Sequence, residues 1–198
     1  MISEGGNRTG INGLVLAGGH SRRMGGEDKG LANWHGKPQR YYMADLLTLF
    51  CDKVYISCRE AQVPEMDANY RTLPDTYLES GPTGGILTAM EYDKNVAWLV
   101  VACDLPFIDE TTLQFLVDHR DQNKVATTFE SPHDGLPEPL ITIWEPSSYD
   151  ILLNKLLEGF KCPRKILLNN DVLILQAPNV RALMNVNTPE EAEMAKRV

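Results

Sequence analysis

An α/β fold, with a mostly parallel sheet covered by helices on both faces, is predicted from three features of the chain. Short apolar runs of strand length alternate with segments of helical period. The run at 97–103 is apolar at every position, as a central strand buried on both faces requires. Gly-Gly or Asp-containing turns follow the strands instead of interrupting them.

The elements follow in order. Residues 12–17 read as a buried strand that ends at Gly18-Gly19, and 18–36 as loop-rich. Pro38 opens a helix whose apolar positions Met43, Leu46, Leu47 and Phe50 keep the helical period. Residues 53–57 and 70–73 read as strands, the second followed by Pro74-Asp75. Glycine and proline punctuate 80–85, and 86–92 continues as a helix. The strand at 98–102 ends at Asp104-Leu-Pro106, and Asp109 is placed to cap a helix over 110–119. Strands are expected at 125–129, 140–144 and 172–175, with a helix over 149–157 closed by Gly159. Thr188, Pro189 and Glu191 form a capping box for a last helix. No repeat or linker divides the chain, so residues 11–198 are read as one domain behind a mobile tail of residues 1–10.

The chain has 198 residues, 43% of them hydrophobic and 23% charged, with a formal net charge of −8. A chain of this size buries enough surface to need no disulfide or metal staple. The acidic balance argues against coating nucleic acid, and the aromatic residues do not interleave with basic ones as a stacking platform would. The longest apolar run is far too short to span a bilayer, and the opening residues lack a secretory leader, so a cytoplasmic setting is expected. Cys51, Cys58, Cys103 and Cys162 show no metal spacing and are read as reduced thiols. The four histidines are scattered and form no metal-ligand pair.

In sheets of this kind ligands bind beyond the carboxyl ends of the strands. That rule selects Gly18-Gly19, Ser57, Asp75 and Asp104. The diglycine turn lets a ligand approach the backbone, where free N–H groups can cradle phosphate. Residues 18–37 carry Arg22, Arg23, Lys29 and Lys37 against Glu27 and Asp28, a local +2 on a body that is otherwise −10. The loop is either a phosphate site or a surface loop with incidental charge. Asp104 can hold Mg²⁺ against substrate phosphates or cap the turn before Pro106. Asp75 has the same two readings, and Ser57 is either a ligand hydroxyl or a strand-end serine.

The segment LAGGHSRRMGGEDKG (16–30) resembles the signature of the molybdenum cofactor guanylyltransferases, the MobA-type nucleotidyltransferases. Three further stretches are similar to that family's motifs: LPD followed by GPTGG (73–85), CDLP (103–106) and NVNTPEE (185–191). They fall in the family's order across residues 12–193.

The resemblance implies a three-layer α/β/α, mostly parallel Rossmann-like sheet of the nucleotidyltransferase type, also called the nucleotide-diphospho-sugar transferase type. It implies transfer of GMP from GTP to the terminal phosphate of molybdopterin carrying molybdenum, with release of pyrophosphate. Carried over by motif, GTP is held by Leu16, Ala17, Gly18, Lys29, Ser57, Asp75 and Asp104. Mg²⁺ sits on Asp104, Arg23 touches phosphates, and Lys29, Asp104 and Arg23 form the catalytic set. Asn185, Asn187 and Arg164 fall on the pterin side. Molybdoenzymes or their chaperones are the implied receivers of the product.

Three positions depart from the family pattern. Thr83 replaces a frequent Leu. Glu138 stands where many members have Gln or His, and puts an acidic group toward a phosphorylated pterin. Lys165 replaces the second Arg of a late pair and lacks the guanidinium fork. Two other readings share the motifs: a sibling enzyme that transfers cytidylyl to the same pterin or a nucleotidyl group to a sugar phosphate, and a non-catalytic nucleotide-binding adaptor.

Overall fold

The computed structural model describes residues 10–19 and 29–186. Its strands are β1 (Ile11–Leu16), β2 (Lys53–Cys58), β3 (Arg71–Pro74), β4 (Ala97–Ala102), β5 (Ala126–Glu130), β6 (Pro137–Trp144) and β7 (Val172–Leu175). They form one seven-stranded sheet in the order β3-β2-β1-β4-β6-β5-β7. Only β6 runs antiparallel, to β4 on one side and β5 on the other. The helices are α1 (Gln39–Leu47), α2 (Pro82–Tyr92), α3 (Glu110–Asp118), α4 (Ser148–Leu157) and α5 (Pro163–Leu168).

Strand periodicity divides the core between two faces. Val15, Leu99 and Val101 pack with Met43, Leu47, Leu113, Leu116 and Phe129 on one side. Leu14, Trp98 and Val100 pack with Ile86, Leu87, Met90, Trp144 and Leu152 on the other. All six residues of β4 are buried, as the unbroken apolar run predicts. The expected three layers are present.

Four elements differ from the sequence expectation, each for a local reason. α2 begins at Pro82 instead of residue 86, because proline at the first helical position needs no donor and the two following glycines fit under close packing. α1 stops at Leu47, leaving Phe50 in the turn that follows. β6 begins at Pro137, before a second proline at 139. Prolines normally exclude a segment from a sheet interior. Here a shift of register between Thr128 and Glu130 accommodates them, and the Thr128 and Thr142 hydroxyls donate to the Glu138 carbonyl at 2.6 and 2.7 Å. α5 spans six residues, too few to show a period. The Asp109 cap is present, its carboxylate accepting from the Thr112 N–H at 2.7 Å. The final helix at Thr188 and residues 1–9 of the expected tail lie outside the described residues.

The chain leaves β1 toward β2 and β3 on one side, then returns to place β4 on β1's other edge. β1 therefore lies at the point where the winding reverses, where a parallel sheet opens a crevice at its carboxyl end. Among the described residues, no helix is long and apolar enough to cross a membrane.

Candidate active site

Strand register alone brings the selected residues to one end of the sheet. Leu16 pairs with Ser57 on one side and with Ala102 on the other, and Cys58 pairs with Pro74. The residues just beyond these ends are Gly18, Asp75 and Asp104. Backbone bonds extend the alignment past the strands. The Ala17 N–H donates to the Ser57 carbonyl at 3.0 Å, the Asp75 N–H to the Cys58 carbonyl at 2.9 Å, and the Cys103 N–H to the Leu16 carbonyl at 3.3 Å.

A cavity of about 350 Å³ opens there, lined by Leu16, Ala17, Gly18, Ser57, Asp75 and Asp104 among others. The Ser57 hydroxyl donates to Asp75 Oδ1 at 2.6 Å. Burial pushes the Asp75 carboxyl above its ordinary value, and the Ser57 hydrogen bond opposes that shift. Glycine is needed where backbones converge on this pair. A Cβ on Gly18 would fall 2.9 Å from Asp75 Oδ2, and one on Gly85 would fall 2.7 Å from Ser57 Oγ. The first turn of α2 is thus pressed onto the ends of β1 and β2.

The opposite chain end reaches the same place. The Val186 N–H donates to the Asp104 carbonyl at 2.9 Å, so Asn185, which is exposed, sits beside Asp104 along the backbone. The backbone of Lys29 opens a 3-10 turn over Lys29–Leu31. Arg23 and Asn187 lie outside the described residues.

Arg164 is not among the residues lining this cavity. On α5 it donates to Asp134 Oδ2 at 2.7 Å and to Glu138 Oε2 at 3.1 Å. Burial raises the Glu138 carboxyl, while the Arg164 guanidinium opposes the shift. The acidic group flagged as hostile to a phosphorylated ligand is therefore paired with a cation. Thr83 is fully buried, and its hydroxyl donates to the Lys161 carbonyl at 3.0 Å, which leucine could not do.

The sequence reading missed one wall of the cavity, formed by Tyr77, Leu78, Glu79 and Ser80 together with Arg59 and Leu140. Leu78 is 71% exposed at the cavity's edge. Glu79 has φ 57° and Gly81 φ 58°, so two positive-φ residues lie within three positions. For glutamate that conformation costs about 1 kcal/mol. The clustered glycines at 81–85 were a visible signal for this wall; Leu78 and Glu79 offered none.

Among the described residues, no three His, Cys, Asp or Glu side chains gather as a metal cage. Magnesium needs no such cage. It takes one or two carboxylates and completes its shell with water and substrate phosphate. A hard carboxylate at Asp104, beside the open backbone of Gly18, fits that donor set.

Residues 13–172 match the MobA-like NTP transferase domain. The chain is 38% identical over 186 residues to a molybdenum cofactor biosynthesis bifunctional protein of Synechocystis, covering 93% of this chain but 53% of that protein. It thus spans about half the length of that relative. It is 33% identical over 186 residues to a molybdenum cofactor guanylyltransferase of Pseudomonas fluorescens, covering 89% of each. Among solved structures, the molybdopterin-guanine dinucleotide biosynthesis protein A of Archaeoglobus fulgidus superposes with TM-score 0.77. That match covers 94% of this chain and 97% of the other, at 23% identity, and it shows a shared fold.

Proposed function

The chain belongs to the MobA-like NTP transferase family, and from that premise we propose that it transfers GMP from GTP to the molybdenum cofactor. The observation that carries the reading is the convergence of Gly18, Ser57, Asp75 and Asp104 on one cavity at the carboxyl end of β1–β4. Similarity to a guanylyltransferase over 89% of each chain supports the choice of donor and acceptor.

In this reading the backbone of Leu16, Ala17 and Gly18 receives the nucleotide where no side chain stands in the way. Ser57 and Asp75 hold the nucleoside by hydrogen bonds. Lys29 and Arg23 bring positive charge to the triphosphate. Asp104 holds magnesium, which when bound supplies positive charge against the phosphates. Asn185, Asn187 and Arg164 are assigned by motif to the pterin-bearing acceptor, Arg164 from outside the cavity and through its pairing with Asp134 and Glu138.

An oxygen of the acceptor's terminal phosphate attacks the α-phosphorus of GTP. The bond from that phosphorus to the β-bridging oxygen breaks, and pyrophosphate leaves with the electron pair. No covalent enzyme intermediate is needed, so positioning and charge placement supply the rate. The setting is the cytosol, and molybdoenzymes or their chaperones take the product.

The test is pyrophosphate release from GTP with magnesium and molybdopterin, run beside CTP. GTP is expected to turn over in preference to CTP. The Asp104→Ala variant is expected to fold and to lose turnover. Release from CTP alone overturns the guanylyl assignment, and near-parental release by Asp104→Ala removes that residue's role.

A further inference from the structure

We propose that Lys161, 82 residues from Glu79 in sequence, is a positioning residue that holds one wall of the nucleotide cavity in its binding conformation. The inference rests on the reading of the cavity as a GTP site.

The wall in question is the turn between β3 and α2. It begins after Asp75, and its residues Glu79, Ser80 and Gly81 line the cavity. Glu79 holds an unfavourable positive φ there, and the positive φ at Gly81 is one that glycine adopts without cost. Such a conformation persists only where surrounding structure over-determines it. Part of that support is local. The Thr76 N–H donates to Thr88 Oγ1 at 3.0 Å, and Ser80 Oγ donates to the Leu78 carbonyl at 3.1 Å.

The remaining support comes from outside. The Lys161 ammonium donates to the carbonyl of Glu79 itself at 3.0 Å. The Lys161 carbonyl in turn accepts from the buried Thr83 hydroxyl at 3.0 Å. Lys161 is thereby fixed at both ends to residues on either side of Gly81. The segment carrying it lies between α4 and α5, where Gly159 has φ 88°, and the same segment continues into Arg164, which is tied to Asp134 and Glu138. One short stretch, 161–164, therefore anchors both to the β3–α2 turn and to the end of the β5–β6 loop with the start of β6.

The turn belongs to the nucleotide half of the cavity by its attachments. Gly85, one helical turn beyond Gly81, is packed against Ser57, Leu16 and Asp75. Loosening the Glu79 carbonyl would let the wall relax away from the pair that holds the nucleoside. Lys161 is placed to act through backbone geometry, by holding a carbonyl that sets where Ser80 and Gly81 stand.

The experiment is a calorimetric titration of magnesium–GTP into the parent and into Lys161→Met, Lys161→Arg and Thr83→Val, with melting temperatures measured in parallel. Lys161→Met is expected to bind GTP about three- to tenfold more weakly, with a melting temperature close to the parent's. In turnover, the same variant is expected to raise KM for GTP while leaving kcat unchanged. Lys161→Arg keeps a donor and is expected to recover most of the affinity. Thr83→Val is expected to weaken binding in the same direction. A Lys161→Met protein that binds GTP as well as the parent overturns the proposal. So does an arginine variant no better than methionine. Should Lys161→Met fail to fold, the arginine-against-valine contrast decides between the same two outcomes. A parent protein that binds no GTP overturns the cavity assignment and this inference with it.

Discussion

At the scale of single residues, Asp75 shows how a site opposes the stability of its own fold. Its carboxyl is buried and its pKa is raised above the ordinary value. A group whose proton is held more tightly in the folded state stabilises the fold at low pH. That contribution is lost as pH rises through the raised value. Where the carboxyl is ionised it is a buried charge held at a cost, and in the proposed reading that charge serves as an acceptor for the nucleotide. Asp75→Asn keeps an oxygen to accept from Ser57 and removes the charge. Its melting temperature without nucleotide is expected to exceed the parent's at neutral pH and to converge with it in acid. Its GTP affinity is expected to fall roughly 10- to 100-fold, the value of a hydrogen bond to a charged group. Thermal melts across pH, paired with a GTP titration, check both signs. A variant less stable than the parent at neutral pH contradicts the account.

At the scale of elements, α2 carries the site by its first turn. Glycine inside a helix ordinarily costs about 0.5–1 kcal/mol against alanine, so Gly84→Ala should stabilise an unconstrained helix. Here a Cβ would stand 2.4 Å from the Tyr77 carbonyl oxygen, which is backbone and has little room to move. Overpacking of this kind costs about 1–3 kcal/mol. Gly84→Ala is expected to lower the melting temperature by several degrees, and a raised melting temperature would show that the β3–α2 turn is free to shift. The same element marks the limit of what the sequence discloses. β1, β2, β4 and β7 were legible because apolar runs of strand length carry their own signal. The carboxyl-end rule then found Ser57, Asp75 and Asp104 without knowledge of strand order. In the turn at 77–81 only the glycine at its end is a signal, because residues 77–80 contribute backbone shape and not side-chain chemistry. β6 was cut short at residue 140, because its prolines argue against a strand until the Thr128 and Thr142 hydroxyls are seen.

At the scale of the whole molecule, an acidic body of net charge −8 binds a polyanion only if repulsion is cancelled locally. The positive charges of residues 18–37 and a metal at Asp104 supply that cancellation in the proposed reading. Because β1 and β4 are the central strands, ligand bound at their ends is coupled to the cooperative core and not to a frayed edge. Nucleotide binding should therefore raise the unfolding temperature of the domain as a unit. At ligand concentrations of about 100 Kd the stabilisation is about 2.7 kcal/mol, roughly 5–11 °C for a chain of this size. Magnesium–GTP is expected to produce a shift of this order, with magnesium–CTP and magnesium–UTP at the same concentration giving clearly less. GTP without magnesium is expected to shift the transition less than GTP with it, since the triphosphate then meets Asp104 unscreened. Equal shifts from all three nucleotides would leave a nucleotide-binding domain without guanine selectivity, and a larger shift from CTP would move the assignment to a cytidylyl transfer on the same scaffold.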